Sequence, residues 1–455
     1  MKRIFVLLSL AWWAAACTPK LIPPQVEVPL AYQRADRFVQ DSLQLQVCWW
    51  ELFGDTTLNR LVERALANNR DLVVAVERVE EARERLRVAR AEFLPSVGSE
   101  VQGGASYNRA TKIEQTYAAE LTLSWELSLF GSLRHTTTAA RSAWAAEAWN
   151  ARGVELSLVA EVATAYFTLL QYERDLYIAT RTCALRRESA ALIDSMFRYG
   201  MSSGIDRDQA YGLVYTAEAD IPRYRSAVEQ TRLSLDLLLG EVPYADSLSG
   251  NGNELLTDLQ PEALAVGVPS ELLQRRPDIM QAYFAVQQAA AEAGLARSNR
   301  FPSLVLSASG GIGASSLKGL SSSNPAVWSA TGSLVKPIFN FGRLRSTERA
   351  AVSAYRQAAA SYEQTILAAF SDVESCFSAI AANREESSRL RALVDTYQEI
   401  VRMAQALYRS GMVNYVDVMD AERTLYTSQM QLVNLVAQQY INYVSLCKAL
   451  GGGWQ

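Results

Sequence analysis

TYAAELTLSWELS, residues 116–128, places Tyr117, Ala119, Leu121, Leu123, Trp125 and Leu127 at its odd positions. The even positions hold Thr116, Glu120, Thr122, Ser124, Glu126 and Ser128, with Ala118 the one exception. Side chains of a strand point alternately to two faces, so this segment reads as a strand with one apolar and one polar side. SVGSEVQGGASY (96–107) alternates in the same way, more weakly, and SLVLSASGGIGAS (303–315) and VWSATGSLVKPIF (327–339) complete four strands. Polar, turn-rich loops, SYNRATKIEQ (106–115) and SSLKGLSSSNP (315–325), join each pair. Two-sided segments of this length fit a membrane barrel with a wet interior. Four strands cannot close such a barrel, and lipid tolerates no open edge. The strands are therefore expected to be pooled between copies of the chain. Two copies would give eight strands around an interior filled by side chains, and three would give twelve with room for a channel. The polar, partly charged inner face favours three.

Outward from the strands, the chain is written twice. NNRDL (68–72) matches RRPDI (275–279) and EFLPS (92–96) matches NRFPS (299–303), both at an offset of 207. LFGSLR (129–134) matches NFGRLR (340–345), RYG (198–200) matches RSG (409–411), and LLG (238–240) matches ALG (449–451), all at 211. The change of four falls among the strands, where a hairpin loop absorbs it. Each half is expected to run helix, two strands, very long helix, turn, long helix. Val352, Tyr355, Ala359, Tyr362, Ile366, Ala369, Val373, Cys376 and Ile380 recur in steps of three and four, a heptad seam. Val214, Ala217, Ile221, Tyr224, Val228, Thr231, Leu235 and Leu238 do the same in the first half, with Pro222 expected to bend that helix. A helix from about Leu344 to Arg409 would be on the order of 100 Å long, more than a globular domain needs.

The first residues, MKRIFVLLSLAWWAAAC, read as a secretory signal: Lys2 and Arg3, an apolar stretch from Ile4 to Trp13, then three alanines before Cys17. The cysteine makes this similar to a bacterial lipobox, with Ala14 where leucine is usual. The chain is 49% hydrophobic and 20% charged with a net charge of −4, which argues against a nucleic-acid partner. No apolar run of eighteen residues follows the signal. Cys48, Cys183, Cys376 and Cys447 are widely spaced, without a CxxC, and read best as free thiols. His135 is the only histidine, which excludes a multi-histidine metal site; no cofactor is expected.

WWELFGDTTLNRLVERALANNRDL (49–72), VPSELLQRRPDIMQA (268–282), PIFNFGRLR (337–345) and LCKALGGGW (446–454) together resemble the outer-membrane factor family, the TolC/OprM-type exit ducts, in its lipoprotein branch. The resemblance runs from about Cys17 to Trp454, with Arg70 where the family often has proline. It implies a mixed α/β membrane protein: a homotrimer with a twelve-stranded barrel in the outer membrane, continued by a helical coiled-coil tube through the periplasm. On that reading residues 1–16 are the lipoprotein signal, and 17–55 an anchored segment and equatorial belt. Residues 56–240 and 268–450 are the two repeats, 241–267 a linker in the belt and 451–455 a tail. Cys17 would carry lipid in the outer membrane. A periplasmic adaptor and an inner-membrane efflux pump are the implied partners.

The last helix carries a polar stripe: Asp417, Asp420, Thr424, Thr427, Gln431, Asn434 and Gln438. Apolar seams flank it, Val418, Ala421, Leu425, Leu432 and Leu435 on one side and Tyr426, Met430, Val433, Ala437 and Tyr440 on the other. At 100° per residue the seams point roughly 150° apart, as in a stave of a tube whose stripe lines the lumen. By themselves, acids near a helix start also favour the macrodipole. The resemblance makes Asp417 and Asp420 a selective ring at the periplasmic entrance, with Val416 an apolar ring and Arg423 a neighbouring arginine. It makes Tyr408 and Asp206 the closed-state latch, although Val413 stands where a latch arginine is usual. Adaptor docking is implied at the two turns: Tyr199, Gly200 and Gly204 in one, Ser410, Gly411 and Tyr415 in the other. The same architecture also serves type I protein secretion, and a purely structural coiled-coil lipoprotein would leave the four strands unexplained. An enzyme is disfavoured by the single histidine and by the absence of a phosphate-cradling loop; GGG (451–453) lies where glycine stops a helix.

Overall fold

The computed structural model describes residues 21, 24, 32, 48–109, 112–243, 269–321 and 326–452. The expected lipidation site Cys17, most of the belt segments and the end of the tail lie outside these residues.

A short 3-10 turn at Trp49–Phe53 leads into α1 (Thr56–Asn68) and α2 (Arg70–Ala91). Strands β1 (Ser96–Asn108) and β2 (Lys112–Leu127) follow, then α3 (Ser132–Arg198) and α4 (Gly204–Leu238). The second half repeats the order with α5 (Pro269–Arg275), α6 (Pro277–Ser298), β3 (Ser303–Ala314), β4 (Ala326–Val335), α7 (Arg343–Arg409) and α8 (Tyr415–Ala449). Helices α3 and α7 are both 67 residues long, and α4 and α8 both 35. The equal lengths follow from equal punctuation. Gly200 and Gly411 (φ 75° and 73°) close the long helices, and Gly240 and Gly451 (φ 68° and 89°) close the shorter ones. Each lets the chain enter the left-handed region, where a Cβ is disfavoured, and returns an amide to an orphan helix carbonyl. The Met201 N–H donates to Met196 O at 2.8 Å and the Met412 N–H to Leu407 O at 2.9 Å. Pro222 lies inside α4, which runs through it as one helix.

The chain divides into two compact units. One, Met1–Val26, Val76–Asn150 and Asp278–Thr365, holds the sheet. Its four antiparallel strands stand in the order β1-β2-β3-β4, so β1 and β4 are the edges and the β2–β3 ladder joins the two halves of the sequence. Opposed residues share a face, and the register sorts the sheet sharply. Leu121 stands between Ser99 and Gly310, Leu123 between Val97 and Ala308, and Ala119 between Val101 and Ile312; Leu304 faces Leu334 and Gly310 faces Trp328. The other face carries Glu100 opposite Glu120, Thr122 opposite Ser309, and Ser307 opposite Thr331. On the apolar face Val101, Leu121, Trp328 and Leu334 are all exposed.

Two strand limits differ from the expectation. Asn108 pairs with Lys112, so β-structure takes up most of SYNRATKIEQ. β4 ends at Val335 rather than 339, because Pro337 has no N–H to extend a ladder. The antiparallel order also gathers one end of every strand: before β1 stand Phe93 and Leu94, after β2 Leu129 and Phe130, before β3 Phe301, and after β4 Ile338, Phe339 and Phe341. All eight are exposed, the pattern of an interfacial aromatic girdle.

The other unit, Glu27–Ala75, Ala151–Pro277 and Ile366–Gln455, holds the larger core. Trp49, Phe53, Leu58, Phe167, Leu235, Phe377, Tyr440 and Tyr443 are among its buried members, with Phe167 stacked on Tyr440 at 4.7 Å. Asp55 caps α1 by accepting from the Thr57 and Leu58 amides, and its other oxygen accepts from the buried Tyr166 hydroxyl at 2.6 Å. The ends of α4 and α8 are satisfied in parallel ways. Asn69 Nδ2 donates to Leu238 O (2.9 Å) and Arg276 Nη1 to Ala449 O (3.0 Å), each from the junction between the two opening helices of its half. Cys48, Cys183, Cys376 and Cys447 are free thiols, and burial pushes Cys376 up to about 11 and Cys447 up to about 12.

Candidate functional site: the helix tips and the polar stripe

The stripe on α8 is exposed in the single chain at Asp417, Asp420, Thr427, Gln431, Asn434 and Gln438, with Thr424 partly covered. On one flank Val418, Ala421 and Leu435 are buried, and on the other Val433, Ala437 and Tyr440. Among the described residues the two seams thus bury themselves while most of the polar row between them stays exposed, the geometry of a stave.

Both hairpin turns are built alike. Ser203 caps α4: its Oγ accepts from the Asp206 amide (3.0 Å), while the Asp206 carboxylate accepts from the Ser203 amide (3.2 Å), a reciprocal capping box. In the second turn the Asp417 carboxylate accepts from the Asn414 amide at 3.3 Å. Asp206 and Asp417 therefore occupy the same third position of their helices, and each serves its own helix start. Asp420 accepts from Arg423 Nη2 at 2.7 Å, with both side chains more than 60% exposed, a pair worth little to stability.

Tyr408 and Asp206, the expected latch, do not touch directly. Ser202 stands between them, its Oγ 3.3 Å from the Tyr408 hydroxyl and donating to Asp206 Oδ2 at 3.2 Å. Sequence spacing had no means of marking Ser202, since the contact joins residues 206 positions apart. Tyr415, expected at the docking turn, is 3% exposed and packs on Tyr408 with ring centroids 5.4 Å apart, so it shapes the tip from within. Burial, then the charge of Glu422, push its phenol well above the usual range. Tyr199, Met201, Ile205, Met412 and Val416 are exposed apolar groups at the turns. Gly200 and Gly411 supply the turns themselves, and Gly204 opens α4.

A sheet with an exposed apolar face, an aromatic girdle at one end, and long paired helices places the chain in the outer-membrane channel class. The family model for outer membrane efflux proteins matches residues 61–241 and 268–452, and the chain belongs to that family. It is 32% identical to the outer membrane protein OprJ of Pseudomonas aeruginosa over 460 residues, 99% of this chain and 95% of that protein. It is also 32% identical to SilC of Salmonella typhimurium, described as a probable outer membrane lipoprotein, over all of this chain and 98% of that protein. CusC of Escherichia coli K12, a cation efflux system protein, is 30% identical over 99% of both chains. A crystal structure of CusC covers 95% of this chain and 99% of its own, with a TM-score of 0.82. The protein is thus an outer-membrane efflux protein, a channel and not an enzyme.

Proposed function

We propose that three copies of this chain pool their sheets into a twelve-stranded barrel and act as the exit duct of a tripartite efflux system. The observation that carries this is the sheet itself: its apolar face is exposed and, among the described residues, both of its edges, β1 and β4, are unpaired. Lipid accepts the apolar face but leaves no open edge standing, and edge-to-edge pairing around a threefold axis closes both edges. The polar face, with Glu100, Glu120 and Glu126, then lines the pore. Cys17 adds a lipid anchor to a barrel already held by its strands. A periplasmic adaptor meets the turns at Tyr199–Gly204 and Ser410–Met412, and an inner-membrane pump supplies small-molecule cargo. The description of CusC as a cation efflux system protein favours efflux over protein secretion.

In the trimer the α8 stripe faces the lumen, and Asp417 and Asp420 place six carboxylates around the periplasmic entrance, with Val416 and Arg423 beside them. A carboxylate ~4 Å from a bound cation contributes about 1–4 kcal/mol per unit charge between water-like and surface-like dielectrics. Reconstituted trimers are expected to conduct in planar bilayers. The Asp417→Ala, Asp420→Ala double variant should conduct more and lose block by multivalent cations by about tenfold or more. Unchanged conductance and block would remove the gate while leaving the duct. A monomer without conductance would remove the duct.

A further inference from the structure

The internal repeat extends into the sheet at the level of single residue pairs. The 207-residue offset of EFLPS and NRFPS carries β1 onto β3, and the 211-residue offset of LFGSLR and NFGRLR carries β2 onto β4. Applied to the β1–β2 pair Ser96–Ser124, these offsets give Ser303–Val335; applied to Gly104–Thr116 they give Gly311–Val327. Both products are pairs of the β3–β4 ladder, so the two hairpins share one register. The β2–β3 ladder, which joins the halves, has no such counterpart among the described residues, while β1 and β4 are left as edges.

Strands of a closed barrel share one tilt and one stagger, so a joint between copies should repeat the joint between halves. The same offsets turn Leu123–Ala308 into Leu334 opposite the next copy's Val101, and Tyr117–Ala314 into Trp328 opposite the next copy's Tyr107. On the apolar face this sets like sizes against each other: Trp328 with Tyr107, Ala330 with Ala105, Gly332 with Gly103 and Leu334 with Val101. A slip of one residue would set Leu334 against Glu100 or Gln102 and turn apolar side chains into the pore. A slip of two keeps the faces, so alternation alone does not choose among those registers. The residues beyond the strands do. Phe130, after β2, stacks on Phe301, before β3, at 4.9 Å, and the two are 36% and 37% exposed. Their counterparts are Phe341 and Leu94, which are 92% and 70% exposed in the single chain. Phe341 is also the one non-glycine residue at positive φ (51°) among the described residues, so a strained backbone presents a ring that stands almost fully in the open.

We propose that β4 of one copy pairs with β1 of the next in this register, Leu334 opposite Val101 and Trp328 opposite Tyr107, and that Phe341 seals the seam by packing on the next copy's Leu94. The proposal rests on the duct reading and deepens it by naming the surface through which copies join. The aromatic pair then holds the loop end of the seam on its lipid side, and the Phe341–Leu94 contact holds the helix end. The strain at Phe341 is offset only when a second copy covers its ring.

The test is disulfide cross-linking of the full-length chain in the outer membrane under an added oxidant, with the parent chain and its thiols Cys48, Cys183, Cys376 and Cys447 as background. Within one chain β2 and β3 separate the two edges, so a link between β1 and β4 joins different chains. Leu334→Cys with Val101→Cys should link chains into pairs and triples. The yield should be at least about tenfold above Leu334→Cys with Ser99→Cys or with Gly103→Cys, because opposed Cβ atoms come within disulfide reach and diagonal ones do not. Trp328→Cys with Tyr107→Cys, compared with Trp328→Cys and Ala105→Cys, serves if the Leu334 variants do not assemble. Phe341→Ala and Leu94→Ala should each lower the temperature at which the detergent-extracted trimer separates, and together by less than the sum. Additive losses overturn the Phe341–Leu94 contact. A trimer in which a slipped pair links best, or in which no pair links, overturns the register and leaves the duct. A wild-type protein with the mass of one chain overturns the duct itself.

Discussion

Asp175→Asn should make the protein more stable at pH 8 by up to about 4 kcal/mol and leave it unchanged near pH 4. Asp175 sits on α3 in the helical unit, 4% exposed, and its Oδ1 is buried with no hydrogen-bond partner. Burial pushes its carboxyl up from 3.8 to about 7, against the smaller pull of a Gln171 hydrogen bond and the Arg223 charge. The folded protein therefore holds a proton on Asp175 that the unfolded chain releases. Between about pH 4 and pH 7 the unfolded state binds fewer protons, so stability falls as pH rises through this window and levels off above the folded pKa. Asparagine is neutral throughout and abolishes that part of the slope. Unfolding of the wild type and the variant, followed by helical circular dichroism at a series of pH values, should give curves that meet at acid pH and diverge toward neutrality. Parallel curves would show that Asp175 is ionised and paired in the folded protein.

The second large effect is expected at a glycine, and its size is read best against a near-identical neighbour. Gly240 and Gly411 both close helices at positive φ, 68° and 73°. A Cβ on Gly411 meets nothing within 4 Å, so Gly411→Ala carries only the left-handed backbone cost of roughly 1–2 kcal/mol. A Cβ on Gly240 would lie 2.5 Å from Asn68 O and 2.9 Å from Asn68 C, both backbone atoms that cannot rotate away. Gly240→Ala must push the end of α4 off α1, breaking the Asn69–Leu238 hydrogen bond and disturbing buried Leu235 and Leu239. A loss of several kcal/mol is expected, of the order reserved for core disruption. Thermal unfolding and the amount of assembled protein in the outer membrane should both fall sharply for Gly240→Ala and little for Gly411→Ala. Equal effects would mean that backbone strain alone sets the cost.

Both predictions concern contacts that no local pattern announces. Asp175 reads as one more acid in a long helix, and Gly240 as one more helix stop. The contact between Tyr408 and Asp206 shows the same limit. Tyr408 and Asp206 were legible as a pair only through resemblance, and Ser202, which physically joins them, carries no spacing signal because its partner lies on the other hairpin. Tyr415 reads as a turn residue in the sequence and is a core residue in the fold, since the helix start turns its ring inward onto Tyr408.

What the sequence determined by itself is everything set by period and punctuation. The two-residue alternation of 116–128 fixed a two-faced strand, steps of three and four fixed the helix seams, and glycines at matched offsets fixed where each helix stops. These are local consequences of backbone geometry, so they are readable along the chain. Tertiary structure alone decided which far residues meet: the β2–β3 ladder that fuses the halves, the Gly240–Asn68 contact and the desolvation of Asp175. Those depend on packing between segments hundreds of residues apart, where a few tenths of an ångström separate a hydrogen bond from a clash, and linear order carries no such information.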